Sequence, residues 1–452
     1  MPEFGKLGLA LFACSICVAA AQFQATDFGA KGDGIAIETE AIQHAIDAAA
    51  KSKGTVIFKP GVYLSGALFL KSGMVLQVNE GVTIRGVQNL AAYPEMPTRA
   101  AGIEMKWPSA LINVYQQSNI KIQGKGIIDG DGKYWWDGYW RLRREYEPRG
   151  LRWASDYDAK RPRLIQVYKS DHVELSGLTL QRSGFWTVHL CYSKSVSVDG
   201  ITIRNNIGGR GPSTDGVDID SSSDVLVEHC DIECNDDTLC LKAGRDADGL
   251  RVNRPTYNVT IRDCTLRDGA AGITIGSDTS GGVHDVDVYR LHVMRPVPRG
   301  IFFKSAKTRG GTIERIHIHD LDLYGVRIPI GMELNWNPSF SYPKIPPGIQ
   351  NVPDYWKIMA TPVLLEEGMP HFRKIQISNL KATDARQALE VSAFENDPIQ
   401  DVTLDNIDIQ GQTAGTISNA EHWTFTRTRI KTEDGSKVTL NDCKDVKGLP
   451  GQ

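Results

Sequence analysis

Two acidic phrases carry the strongest chemical signal in the sequence. Ser213-Thr214-Asp215-Gly216-Val217-Asp218 is followed by Asn235-Asp236-Asp237-Thr238, so Asp236 and Asp237 lie 21 and 22 residues beyond Asp215. Three carboxylates brought together cannot all ionise freely, because mutual repulsion raises at least one pKa. Cleaving a glycosidic bond needs such a split: one protonated acid for the leaving oxygen and one carboxylate to activate water. The same residue types also suit a calcium site, or turns that favour Asp.

The two phrases meet only if the chain returns to the same face after each interval of that length. A recurring phrase supplies the return. It is apolar-x-apolar, two polar or turn-forming residues, then a second alternating apolar pair. It occurs at Asn119–Ile127, His172–Leu180, Ser195–Ile203, Asp224–Ile232, Asn258–Leu266, Asp285–Val293, Arg315–Leu323, Lys374–Ala382 and Asp401–Ile409. The start-to-start spacings are 53, 23, 29, 34, 27, 30, 59 and 27, and the two long gaps read as one coil plus an insertion. Alternation of period two makes strands with one face inward, and repeats of this length make solenoids or propellers. The phrase lacks the four strands of a propeller blade, and no long helical pattern intervenes. The sequence therefore predicts an all-β, right-handed parallel β-helix, with coils stacked at about 4.8 Å.

A solenoid needs caps, and Ile37–Lys51 carries Ile42, Ala45, Ile46 and Ala49 at helical spacing. Two stretches break the rhythm and are expected to be long loops. Asp131–Arg163 is rich in Trp and Tyr, and its Arg141–Arg163 part holds seven Arg and one Lys against four acids. Tyr324–His371 carries Trp336, Phe340, Tyr342 and Trp356. Sugar rings stack on aromatics and Arg pairs with carboxylates, so both loops read as walls of a cleft for an acidic carbohydrate, with Trp336 among the substrate-binding candidates. The competing reading is a hydrophobic plug that staples the solenoid.

Lys6 precedes an apolar run from Leu7 to Ala21 that ends in small residues. This is a signal-peptide pattern, with residues 1–21 removed before Gln22, export to the periplasm or medium, and one catalytic domain over 22–452. Fifty-one basic against 54 acidic residues give a net charge of −3, which disfavours a protein that coats nucleic acid. No later run is long enough to cross a bilayer, so no membrane contact is expected once the leader is gone, and a monomer is expected. Six cysteines remain beyond the leader, at 191, 230, 234, 240, 264 and 443, and their spacing fits no zinc site. They read as buried thiols.

The ordered motifs resemble glycoside hydrolase family 28, the polygalacturonases and rhamnogalacturonan hydrolases. They are Asp27-Phe28-Gly29-Ala30-Lys31-Gly32-Asp33-Gly34, Ile128-Asp129-Gly130-Asp131-Gly132 with Trp135-Trp136, Phe185-Trp186-Thr187-Val188-His189, the two acidic phrases, Lys242-Ala243-Gly244-Arg245-Asp246 and Gly272-Ile273-Thr274-Ile275-Gly276-Ser277. The resemblance implies single-displacement hydrolysis with inversion, with no metal and no cofactor. It makes Asp236 the general acid, and Asp215 with Asp237 the pair that orients and deprotonates water. Three positions depart from the polygalacturonase pattern. Ser213 replaces Asn, Ala270-Ala271-Gly272 replaces Gly-His-Gly, and Phe302-Phe303-Lys304 replaces Arg-Ile-Lys. Lys304 is retained as a carboxylate or hydroxyl ligand. Phe302 offers an apolar face where a bidentate partner stood, which shifts the expected linkage toward galacturonate–rhamnose or another substituted pectic bond. Arg245 is a further substrate-binding candidate, against a structural pair with Asp246 or Asp248. His189 is another, against a satisfied structural histidine. Loop size tilts the reading toward exo action on an acidic pectic chain. The alternatives are a typical polygalacturonase on homogalacturonan, a β-helix pectate lyase using calcium, and a non-catalytic carbohydrate-binding β-helix.

Overall fold

The computed structural model describes residues 21–450, so all but the last residue of the expected leader lies outside the described residues. Strands pair in parallel from coil to coil in one continuous wound sheet, a parallel β-helix. The right-handed sense follows from the crossover rule for parallel strands.

The phrase spacings are the strand register. Ile120 pairs with Val173, Val173 with Val196, Val196 with Val225, and Val225 with Val259. Val286, Ile316, Ile375 and Val402 continue the column. The first residue of every phrase, from Asn119 (φ 57°) to Asp401 (φ 53°), sits in the left-handed region and turns the corner of its coil. Asn and Asp adopt that region more cheaply than other non-Gly residues, and they fill five of these nine positions. Inward residues such as Val173, Leu175, Val198 and Val227 are fully buried. Each such side chain stabilises the coil by roughly 1.5–3 kcal/mol. Coils also extend past the phrases at both ends: Val75–Gln77 pairs beneath Ser118–Gln123, and Ala420–Thr426 pairs above the strand Ile399–Ser418.

The N-terminal cap is helix α1, Thr39–Lys51, which buries Ile42, Ala45, Ile46 and Ala49 as expected. Its Gln43 side chain accepts from the Phe69 N–H (2.9 Å) and donates to the Phe69 carbonyl (3.0 Å). The cap thereby pairs backbone groups that an uncovered edge would leave open.

Both expected loops need correction. Asp131–Arg163 is largely helical: α2 spans Lys133–Tyr146 and buries Trp135, Trp136 and Tyr139 on one face. Aromatic residues at i, i+1 and i+4 make a helical stripe that sequence inspection took for a sugar-stacking surface. Tyr324–His371 begins with a further coil strand, Ile328–Glu333, which pairs with Arg299–Lys304. Only the segment after it leaves the solenoid. An antiparallel hairpin, Glu95–Ala100 with Ile103–Pro108, was not legible at all. Cys191, Cys230, Cys234, Cys240, Cys264 and Cys443 are free thiols, and all but Cys443 are buried. No described helix is long and apolar enough to cross a membrane.

Candidate active site

One face of the solenoid, here called the floor, is built from Ile165–Tyr168, Val188–Cys191, Val217–Asp220, Asp237–Lys242, Ala271–Ile275, Arg299–Lys304 and Ile328–Glu333. Alternation aims Val217, Ile219, Leu239 and Leu241 into the core and Asp218, Asp220, Cys240 and Lys242 outward. The register sets His189, Asp218, Cys240, Thr274 and Phe302 in one outward row. Asp215 and Asp236 sit just before their strands, at the corner where the chain enters the floor.

Stacking brings the three predicted acids together, with one oxygen from each of Asp215, Asp236 and Asp237 within 4.8 Å of the others. Lys304 Nζ donates to Asp237 Oδ2 (2.7 Å), and Thr274 Oγ1 donates to Asp237 Oδ1 (2.9 Å). Lys242 Nζ lies 3.5 Å from Asp215 and 3.4 Å from Asp218, under the Trp186 ring. Asp215 Oδ1 and both Asp218 oxygens have no hydrogen-bond partner. Asp215, Asp236, Asp237 and Lys242 line a narrow pocket of about 80 Å³ with Trp186, Lys304 and Trp336.

The acids titrate apart. Burial, then Asp218 and Asp236, push the Asp215 carboxyl well above its ordinary range. Burial and the Asp237 charge raise Asp236. Burial raises Asp218 to about 7, against the pull of Lys242. Burial also acts on Asp237, but Lys304 and Lys242 outweigh it and hold that carboxyl below the usual range. The pocket therefore combines one carboxyl held acidic with neighbours whose affinity for protons is raised, the division that acid–base hydrolysis needs.

Three inserts wall the pocket. The hairpin contributes Ala101 at its tip, the α2 segment contributes Arg152 and Asp156, and the last insert contributes Trp336 and Phe340. Behind them Trp107, Trp153, Tyr157, Phe185, Trp186 and Trp356 pack into a second core. The aromatic inserts thus do both jobs weighed from sequence: most of their rings form a plug, and a few line the cavity. The plug covers the floor on the N-terminal side of Asp215. Toward Arg299 and Ile328, the next cavity along the floor is lined by coil residues, Pro298, Arg299, Arg327, Ile328, Arg386, Gln387 and Glu390.

Three sequence candidates sit elsewhere. Arg245 is fully buried; it donates to Asp246 (2.8 Å), to the Tyr157 hydroxyl (3.2 Å) and to the Phe340 and Ser341 carbonyls (both 3.3 Å). Its own N–H donates to the Gly102 carbonyl (3.0 Å), so it ties all three inserts together and does not face the cavity. His189 is fully buried with Nε2 3.3 Å from Asp220. Burial and Arg163 lower it to about 4, which makes it a neutral structural imidazole. Phe302 is 6% exposed and packs beside Lys304 and under Arg299, whose guanidinium lies 4.8 Å from its ring centre. It is not on the pocket wall. Lys304 and Trp336 are, with Lys304 Nζ 4.5 Å from the Trp336 ring centre.

The family model described as glycosyl hydrolases family 28 matches residues 51–351. The chain belongs to that family. It is 28% identical over 86% of its length to a probable polygalacturonase from Vitis vinifera, covering 79% of that protein. It is 28% identical to an endo-polygalacturonase from Pectobacterium carotovorum subsp. carotovorum, covering 65% of this chain and 70% of the other. Among solved structures, a hyperthermoactive exopolygalacturonase from Thermotoga maritima superposes with a TM-score of 0.75 at 26% identity, over 93% of this chain and 92% of that one. The protein is thus a family 28 glycoside hydrolase, an inverting class acting on pectic galacturonan.

Two charged residues at the site lie inside the family motifs with no role read from sequence: Lys242, which lines the pocket, and Asp218 beside it. Strand alternation in Val217–Asp220 and Leu239–Lys242 was the signal that puts both on the outer face. Arg152 and Asp156 carried no such signal, because an insert places them; Phe340 is one of the aromatics expected in a cleft wall, and it lines the pocket. The geometry also bears on calcium in this family 28 enzyme. Lys304 and Lys242 already stand among the carboxylates, so a divalent cation there would face two ammonium groups.

Proposed function

We propose that this enzyme removes galacturonate from the end of a pectic galacturonan chain, outside the cytoplasm, by single displacement. Asp236 protonates the leaving oxygen. Asp237, ionised under Lys304, and Asp215 hold and deprotonate the attacking water. A water bonded to two carboxylate oxygens at about 2.8 Å each can bridge acids as close as these. Inverting enzymes usually separate their carboxyls by roughly 6.5–9.5 Å, so inversion is supported by family membership rather than by this spacing. What supports chain-end action is the plug of insert aromatics packed over the floor behind Asp215, while coil residues line the cavity toward Arg299. Lys304, Trp336 and Arg152 supply charge and ring faces for a uronate in the pocket.

A second reading concerns the leaving sugar. Ala270 and Ala271 stand beside Asp237 without any polar group to offer, which suits a neutral residue such as rhamnose there. The burial of Phe302 removes the other half of that argument. A product profile separates the readings. Incubated with homogalacturonan, rhamnogalacturonan backbone and reduced-end-labelled oligomers, the enzyme is expected to release saturated monomeric galacturonate from homogalacturonan. Mid-chain fragments at early times would overturn chain-end action, and release from rhamnogalacturonan alone would establish the neutral leaving sugar. Unsaturated, absorbing products would mean a lyase.

A further inference from the structure

The corner that carries Asp236 continues along the open groove. Ala270 N–H donates to the Asp236 carbonyl, Ile328 N–H to the Pro298 carbonyl, and Arg386 N–H to the Arg327 carbonyl (2.8, 2.9 and 3.1 Å). Arg327 and Arg386 therefore occupy the same corner three and four coils on, about 14 and 19 Å from Asp236 at about 4.8 Å per coil. With Arg299, Gln387 and Glu390 they line a cavity of about 270 Å³.

The charges in this cavity do not balance. Arg299 donates to Glu390 (2.6 Å) and lies 3.8 Å from Glu333, so that guanidinium is matched. Among the described residues, Arg327 and Arg386 have no carboxylate within 4.0 Å. Elsewhere on the solenoid surface stacked Arg residues are paired across coils, as in Arg267–Asp231, Arg290–Asp263 and Arg429–Asp408. Two guanidiniums one coil apart without an acid between them repel each other, and each keeps a planar fork free for a carboxylate.

We propose that Arg327 and Arg386 form a second carboxylate-binding site, which takes a uronate of the same polysaccharide chain several residues beyond the scissile bond. This deepens the pectic reading above and rests on it. The site gives the enzyme a preference for long chains, because a short oligomer held at Asp236 ends before reaching Arg327.

The test is the Arg327→Ala/Arg386→Ala double variant, assayed as kcat/KM on a galacturonate dimer, a hexamer and polymer. Both residues are exposed, and an unchanged Tm verifies the fold. The expected result is a loss of about tenfold on hexamer and polymer, the size of two partly exposed charge pairs, with dimer turnover unchanged. The wild-type advantage on long chains should also shrink with added NaCl. Equal losses on all lengths, or none, would overturn the proposal. If wild-type protein cleaves no galacturonide, the pectic reading itself has failed. Calorimetric binding of hexagalacturonate to both proteins then decides: equal affinities overturn the site, and weaker binding by the double variant retains it.

Discussion

Two clusters of buried charge lie on the floor and balance acid against cation differently. Around Asp220, Arg99 donates to one carboxylate oxygen and to Ser221 (both 2.7 Å), while His189 faces the other oxygen. Arg163 holds the Arg99 carbonyl (2.6 Å). Burial works against the Asp220 charge, but Arg99 and His189 outweigh it and keep the carboxyl strongly acidic. Around Asp237, four carboxylates share two ammonium groups, and three oxygens of Asp215 and Asp218 stay unbonded. Both clusters are largely buried, and the difference is stoichiometry. A cluster whose acid is matched by cations fixes the fold. One with surplus acid binds protons more tightly, at a cost in stability. The second condition is what a proton-transferring site requires.

Variants can break that contrast. The largest expected effect is in Asp236→Asn, which should lower kcat by about 10²–10⁴-fold while leaving Tm level or higher, since a crowded titratable carboxyl is replaced by a neutral amide of the same shape. A fall in Tm with kcat intact would make Asp236 structural and erase the distinction. Next, Arg99→Met should destabilise by about 3–5 kcal/mol in denaturant unfolding, because Asp220 is left as an uncompensated buried charge. Its kcat per folded molecule should stay within a few-fold; a selective loss of kcat would place the balanced cluster in the chemistry.

Asp218→Asn sharpens the comparison through pH. The folded carboxyl titrates at about 7, above its unfolded value of about 3.9. Protonated Asp218 thus favours the fold, fully so below the unfolded value, and that contribution is lost as pH rises through 7. Wild-type stability should therefore decline between about pH 4 and 7 by roughly 1–3 kcal/mol more than that of Asp218→Asn. Parallel pH profiles of Tm would show that Asp218 holds no proton. Smallest is Arg427→Ala, which removes an exposed Arg427–Asp405 pair and should leave Tm essentially unchanged; a clear drop in Tm would show that surface pairs also hold the coils.

The same contrast explains what was legible in sequence. Asp215, Asp236 and Asp237 were visible because one coil separates them in the chain, so their spacing predicted their contact. The coil column was visible for the same reason, since period-two phrases carry their own register. Arg99 and Asp220 lie 121 residues apart, and nothing local announces that the Glu95–Pro108 hairpin reaches the floor. Arg245 stood between a substrate ligand and a structural pair with Asp246 or Asp248; the Asp246 pair is present, and its remaining partners come from all three inserts. Coil residues meet through a repeat that can be counted. Insert residues meet through packing, and counting along the chain does not reveal it.

On the chain-end reading proposed above, a groove closed behind Asp215 would also dictate traffic. The freed monosaccharide would lie at the closed end, with the shortened chain in the way out. The polymer would leave before the small product, so each encounter would yield one cut. The monosaccharide, last to depart, would act as a competitive inhibitor.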